Sequence, residues 1–234
     1  IGVDLFDTAD VYGLGRNEVL IGKALNDEQK NKILIATKAG CTRPGGFRWD
    51  TDGRPEHIKE AIKGSLERLG IKQIELYQLH APDNKVPISS SIQALKELQE
   101  QGYIKYIGVS NFDINELQEA QKIVEVVSVQ NHFNFNHRID ENQLLPYLRD
   151  NNITYIAYFP LGSGRLITNG KLQVIANSLE ITPAQLALAW IINKWENAIA
   201  IPGTKSKRHL EENMKSVEIK LTQDVIEEVN KIYR

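Results

Sequence analysis

Short apolar runs alternate with amphipathic stretches along the whole chain. The runs "VDLF" (3–6), "ILIAT" (33–37), "IELYQLH" (74–80), "YIGVS" (106–110), "VVSVQ" (126–130), "TYIAYF" (154–159) and "AIAIPG" (198–203) have the near-continuous hydrophobic character of parallel strands buried on both faces. Between them the apolar period changes from two to between three and four. "PEHIKEAIKGSLERLG" has Pro55 near its first turn, Ile58, Ile62, Leu66 and Leu69 on one side, and Gly70 as a stop. "SSIQALKELQEQG" repeats that design. "DINELQEAQKIV" starts from an Asp113 cap, and "TPAQLALAWIINKW" starts from Thr182 with Pro183 at the first helical position. "DENQLLPYLRDN", "SKRHLEENMKS" and "TQDVIEEVNKIY" complete the set of predicted helices.

Seven strand-then-helix units in a row, joined by short connections, predict an α/β fold with a parallel sheet. No linker or low-complexity stretch divides the chain, so residues 1–234 are expected to form one domain. Two architectures satisfy the alternation. An open dinucleotide-binding sheet would carry G-x-G-x-x-G after an early strand, and neither "VDLF" nor "ILIAT" is followed by it. Polar residues instead close nearly every run: Asp7, Lys38, His80, Ser110 with Asn111, Gln130 with Asn131, Tyr158, and Thr204 with Lys205. Chemistry gathered at the C-terminal ends of many parallel strands is the pattern of a (β/α)₈ barrel. One strand of the eight is missing from the count.

Composition narrows the function. With 41% hydrophobic and 25% charged residues the chain reads as an ordinary globular protein. Its 28 basic residues against 30 acidic ones leave no electrostatic footprint for nucleic acid or an anionic membrane. Cys41, the single cysteine, has no partner for an internal disulfide, and no apolar run reaches the ~18 residues of a membrane span, so a cytoplasmic protein is expected. The expected partner is a small molecule.

The strand ends supply an acid, a phenol, an ammonium and an imidazole. "FDTADVYG", the lysine of "IATKAG", the histidine of "YQLHAPD", "IGVSNF", "VQNHFN", "AYFPLGSG" and "IPGTKSKRHLEEN" follow one another in the order and spacing of the aldo-keto reductase family, which the chain resembles from end to end. The resemblance implies an NADPH-dependent reductase of aldehydes or ketones on a (β/α)₈ barrel, with Asp7, Tyr12, Lys38 and His80 as its catalytic residues. The chemistry of those side chains agrees. Hydride transfer to a carbonyl leaves negative charge on oxygen, and a proton donor must reach that oxygen. Tyr12 is the candidate. A phenol at a pKa of about 10 is a weak donor unless an ammonium favours its phenolate, which assigns Lys38, and a buried lysine needs a carboxylate to stay charged, which assigns Asp7. Neutral His80 is left to orient the carbonyl through a ring N–H. Asp10 matches no catalytic position and is expected to be a loop residue; Cys41 has no base beside it and is expected to be a bystander.

The same resemblance places Ser110, Asn111 and Gln130 on a nicotinamide carboxamide, with Tyr158 against its ring. It assigns Leu161 and Ser163, beside Gly162, to the pyrophosphate turn. Thr204, Lys205 and Ser206 fall at the adenosine 2′-phosphate, with Glu212 and Asn213 near the adenine. Lys207 and Arg208 add charge there, at a helix start. His209 stands where many relatives carry arginine, which leaves NAD possible beside NADP. Phe47 and Trp49, in the Gly- and Pro-containing stretch "KAGCTRPGGFRWDTDGRP", have no core role in the pattern and are expected to shape the substrate pocket. Two other function classes are weighed: a cofactor-binding redox sensor or regulatory subunit with little turnover, and a metal-dependent barrel hydrolase, for which only His80 and Asp7 qualify as strand-end ligands. Because the family sets Asp7 and Tyr12 at the end of its second strand, a first strand and helix of about 30 to 50 residues are expected upstream of Ile1.

Overall fold

A computed structural model describes residues 1–45 and 48–232. Its residues divide into two compact units, Val3–Val129 and Gln130–Arg234, the latter with Ile1–Gly2.

The first unit runs β1 (Leu5–Asp7), α1 (Arg16–Ala24), α2 (Asp27–Lys30), β2 (Leu34–Ala39), β3 (Cys41–Gly45), β4 (Arg48–Thr51), α3 (Pro55–Leu69), β5 (Ile74–Leu79), α4 (Ile88–Glu100), β6 (Ile104–Ser110) and α5 (Ile114–Gln121). β7 (Ser128–His132) straddles the boundary. β1 pairs with β2, β2 with β5 and β5 with β6, all parallel. The register decides which side chains share a face. Asp7 is level with Ala36, Lys38 with Gln78, and Gln78 with Gly108. Since side chains alternate along a strand, Asp7, Lys38, Gln78 and Gly108 lie on one face, and His80 and Ser110 follow two residues on. Thr37 and Tyr77 fall on the opposite face, where Ile35 packs with Ile21 of α1 and Leu69 of α3. Gly108 has no room for a side chain: a Cβ there would sit 2.4 Å from Ser128 Oγ.

The second unit holds α6 (Leu144–Asp150), β8 (Thr154–Tyr158), α7 (Gly170–Ser178), α8 (Pro183–Lys194), β9 (Ala198–Ala200), α9 (Lys207–Met214) and α10 (Gln223–Asn230). β8 and β9 are parallel, with Tyr155 level with Ala198. α8 is buried along most of its length, as its unbroken "LALAWII" foretells, and its start is a reciprocal box in which Thr182 Oγ1 accepts from the Gln185 N–H while Gln185 Oε1 accepts from the Thr182 N–H.

All seven expected strands are found, with shifted ends. β1 starts two residues late and takes in Asp7, and β9 stops at Ala200, just before Pro202, which has no N–H to continue a ladder. The stretch after Lys38 is not one long loop. β3 and β4 make an antiparallel hairpin in which Cys41 faces Thr51 and Thr42 faces Asp50. Its Pro and Gly content masked a pairing whose hydrogen bonds come from backbone. Phe47 lies outside the described residues. "DENQLLPYLRDN" is split into a 3₁₀ turn (Ile139–Asn142) and α6, and α1, α2 and α7 are helices that the pattern left unassigned. Among the described residues no single helix is long and apolar enough to cross a membrane.

Candidate active site

Lys38 is the centre of the site and is fully buried. Its ammonium donates to Asp7 Oδ2 at 2.6 Å and to the Thr8 carbonyl at 2.8 Å. Burial lowers its pKa, and the Asp7 carboxylate opposes that shift. The pair forms because the register sets β1 and β2 side by side with both side chains on one face, and because β1 ends where Asp7 begins the loop.

That loop is tightly determined. The Tyr12 N–H donates to the Ala9 carbonyl, the Leu14 N–H to the Val11 carbonyl, and Thr8 Oγ1 to Asn17 Oδ1 at 2.7 Å. Gly15, at φ 84°, starts α1 in a left-handed conformation, and a Cβ there would meet Arg68 Cδ at 2.7 Å. The compact turn brings the Tyr12 ring to 5.2 Å from Lys38 Nζ, measured to the ring centroid. His80, 7% exposed, meets Tyr12 edge-on at 5.7 Å between centroids. Its N–H donates to the Ala39 carbonyl and its carbonyl accepts from Asn111 Nδ2, so the residue is tied to β2 on one side and to the end of β6 on the other. Burial, then the Lys38 charge, holds the imidazole pKa at about 3. His80 is neutral through the physiological range. The four residues that the sequence proposed for catalysis therefore do come together within one unit.

Trp49, on β4, is 49% exposed and stands edge-on to His80 at 6.2 Å, with the Arg43 guanidinium 4.7 Å above its ring. The hairpin thus places an aromatic wall beside the imidazole. Burial, then the Asp10 charge, pushes the Cys41 thiol up to about 11, which disfavours its thiolate. Asp10, as expected, lies in the turn after β1; it is half-buried, and desolvation, then the Glu18 charge, pushes its carboxyl up to about 7.

Among the residues proposed for the cofactor, Ser110 and Asn111 belong to the same unit. Ser110 is buried, and Asn111, at φ 60°, donates through Nδ2 to Ser110 Oγ as well. The others belong to the second unit. Gln130 is buried on β7. Tyr158, at the end of β8, stacks on His132 at 5.5 Å, and His132 in turn stacks on His137 at 4.0 Å. This three-ring column leaves no trace in the sequence, because the ring of the histidine in "VQNHFN" carries no periodic signal. Leu161 opens a turn in which Gly162 and Ser163 both have positive φ, 54° and 56°. Thr204 Oγ1 accepts from the Ser206 N–H, and Ser206 Oγ accepts from the His209 N–H as the cap of α9. Lys205 is exposed at this start, and His209 Nε2 lies 3.2 Å from Arg208. Glu212 holds Gln185 through its carbonyl, and Asn213 is buried beside it.

The family model described as "Aldo/keto reductase family" matches residues 1–234. The chain belongs to the aldo/keto reductase family. Within that family it is 35% identical over 240 residues to the pyridoxine 4-dehydrogenase of Escherichia coli, covering all of this chain and 83% of the relative. Its structure resembles the glycerol dehydrogenase of Gluconobacter oxydans with a TM-score of 0.91 at 27% identity, over 99% of this chain and 81% of that one. An aldo/keto reductase of Klebsiella pneumoniae, solved in complex with NADP and acetate, matches with a TM-score of 0.86 at 26% identity, over 99% and 81% of the two chains. The fold class is α/β, the (β/α)₈ barrel, and this aldo/keto reductase is an oxidoreductase.

Proposed function

We propose that this chain reduces an aldehyde or ketone to an alcohol with hydride from NADPH, Tyr12 giving the proton, and that residues 1–234 act as one barrel domain. The observation that carries the reading is the buried Lys38–Asp7 pair turned toward the Tyr12 ring, with neutral His80 edge-on beside it.

The donor set fits a nicotinamide dinucleotide. Ser110, Asn111 and Gln130 are hydroxyl and amide groups suited to a carboxamide, and Tyr158 offers an aromatic face. At the turn, Gly162 and Ser163 both have positive φ, and a Cβ at Gly162 would meet Leu166 Cγ at 2.7 Å, so a glycine fits where a larger residue would not and backbone is what the turn would offer a pyrophosphate. Lys205, with Lys207 and Arg208, supplies charge for a 2′-phosphate at the start of α9, where the Thr204 hydroxyl donates weakly to the Ser206 carbonyl at 3.5 Å and the Ser206 hydroxyl caps the helix. Bound there, the cofactor supplies hydride.

The remaining chemistry belongs to this chain. His80 points a ring N–H at the carbonyl oxygen and fixes its position. As charge develops on that oxygen, the Tyr12 O–H passes its proton there, and the phenolate left behind faces the Lys38 ammonium. Asp7 keeps that ammonium charged in a site that would otherwise neutralise it. Turnover of NADPH with a panel of aldehydes and ketones tests the reading directly. Tight NADPH binding with no turnover on any member would replace it with a cofactor sensor.

Two expected outcomes concern recognition. Lys205→Ala should weaken NADPH by roughly tenfold or more, the effect of a lost charge-assisted contact, and NADH by far less; fluorescence titration with both cofactors measures it, and equal weakening would remove Lys205 from the phosphate. Trp49→Ala should raise KM for a benzaldehyde several-fold while kcat changes less, because a stacking wall stabilises bound and reacting substrate alike. An unchanged KM would take Trp49 out of the pocket.

A further inference from the structure

We propose that Asp10 is a positioning residue for the reduction: a proton-exchanging carboxyl on the helix side of β2 that acts through Lys38 and makes Tyr12 a poorer donor once it ionises. The inference rests on the reading of Tyr12 as the proton donor.

Asp10 is fastened to the strand that carries the ammonium, since its N–H donates to the Lys38 carbonyl at 3.2 Å. Its Oδ1 is buried and has no hydrogen-bond partner among the described residues. The Arg68 and Lys38 charges act on it, but both cations are also held by other carboxylates. Glu18 of α1 is fully buried and accepts from Thr37 Oγ1 at 2.6 Å and from Arg68 Nε at 2.7 Å, so the guanidinium of α3 is already engaged. β5 presents the Tyr77 phenol, fully buried, and β3 the Cys41 thiol, both of which feel the Asp10 charge. Lys38 feels it too, from β2.

Behind the carboxyl lies a cavity of about 450 Å³ between the β1–α1 loop and α3, lined by Asp10 together with His57, Glu60, Lys63, Glu67 and Arg68. It gives Asp10 a route for proton exchange that does not pass through the substrate pocket. Burial, then the Glu18 charge, lifts the carboxyl to about 7, against the Val11 N–H and the Arg68 and Lys38 charges that draw it down. Its change of charge is thereby moved from the usual carboxylate range toward neutrality.

While Asp10 is protonated, Asp7 is the carboxylate that answers Lys38, and the ammonium can meet the charge that Tyr12 acquires. Once Asp10 ionises, a second anion stands near Lys38; it favours the ammonium, which Asp7 already holds charged, and its own field opposes the charge that Tyr12 acquires. Reduction should slow as pH rises through about 7, by roughly threefold to tenfold for a unit charge at this remove.

The test is kcat/KM for 4-nitrobenzaldehyde against pH in the parent and in Asp10→Asn, which fixes the neutral form in the same shape. The parent should fall across about pH 6 to 8, and the variant should be near flat there, several-fold faster than the parent at the alkaline end. A gain of rate is a result that a purely structural role for Asp10 does not produce. Denaturation read at the same pH values gives a second measure. A carboxyl raised in the fold keeps a proton that the unfolded chain releases, so the parent loses stability between about pH 4 and 7, and Asp10→Asn should not show that loss. Superimposed profiles, or a variant slower at every pH, would overturn the proposal; Asp10→Ser serves if Asp10→Asn does not fold. Should Tyr12→Phe prove inactive while the Asp10→Asn profile matches the parent's, the fault lies with Asp10 alone. An active Tyr12→Phe would remove both readings together.

Discussion

Tyr12→Phe is expected to lose at least a hundredfold in carbonyl reduction while binding NADPH within a few-fold of the parent. The substitution removes one O–H and leaves the ring that packs against His80, so the pocket keeps its shape. What disappears is the proton for the developing alkoxide, and general acid catalysis is typically worth 10² or more. Steady-state turnover with cofactor in excess and fluorescence titration of the cofactor together separate chemistry from binding. Activity above about a tenth of the parent's would end the assignment of Tyr12 as donor.

Lys38→Met is expected to fail in two separable ways. Turnover should drop by a hundredfold or more, because nothing then stabilises the phenolate. Stability should fall as well, by about 3 to 5 kcal/mol, because Asp7 is left as a largely buried carboxylate without its cation. Adding Asp7→Asn tells the two losses apart. The double variant no longer buries an unpaired charge, so its denaturation midpoint should recover much of the lost stability while its turnover remains as low as that of Lys38→Met. A double variant as unstable as the sum of the singles would mean that Asp7 and Lys38 do not act as a pair. Turnover that recovers with stability would mean that Lys38 serves the fold and not the chemistry.

His80 bears on how these measurements are made. Its imidazole is held at about 3 by burial and by Lys38, so it carries no charge change anywhere in a practical assay range. A titration seen near neutrality belongs elsewhere, and the half-buried Asp10 carboxyl, pushed up to about 7, is one group that would show it.

The alternation of apolar runs and amphipathic stretches determined the parallel α/β class, since a strand covered on both faces must be apolar throughout and a covering helix must carry one apolar stripe. It also determined the helix starts at Asp113 and Thr182, where the side chain of the capping residue satisfies backbone N–H groups a few residues away. The candidate residues stood out for a related reason: Asp7, Lys38 and His80 are polar where an apolar run ends, and Tyr12 is anchored to Asp7 by only a short turn. What the chain could not declare was anything set by contact across the sheet. The β3–β4 hairpin pairs through backbone hydrogen bonds that leave no side-chain period. The His132 column exists because β7, β8 and the following turns bring three rings into line. Asp10 reads in the sequence as one more acid in a loop, and only packing, which desolvates it and sets it near Glu18, pushes its carboxyl up to about 7. Local pattern determines which residues are strand, helix and strand end; the state of a titratable group depends on the summed field and solvation of neighbours distant in sequence, and those are assembled only by the tertiary fold.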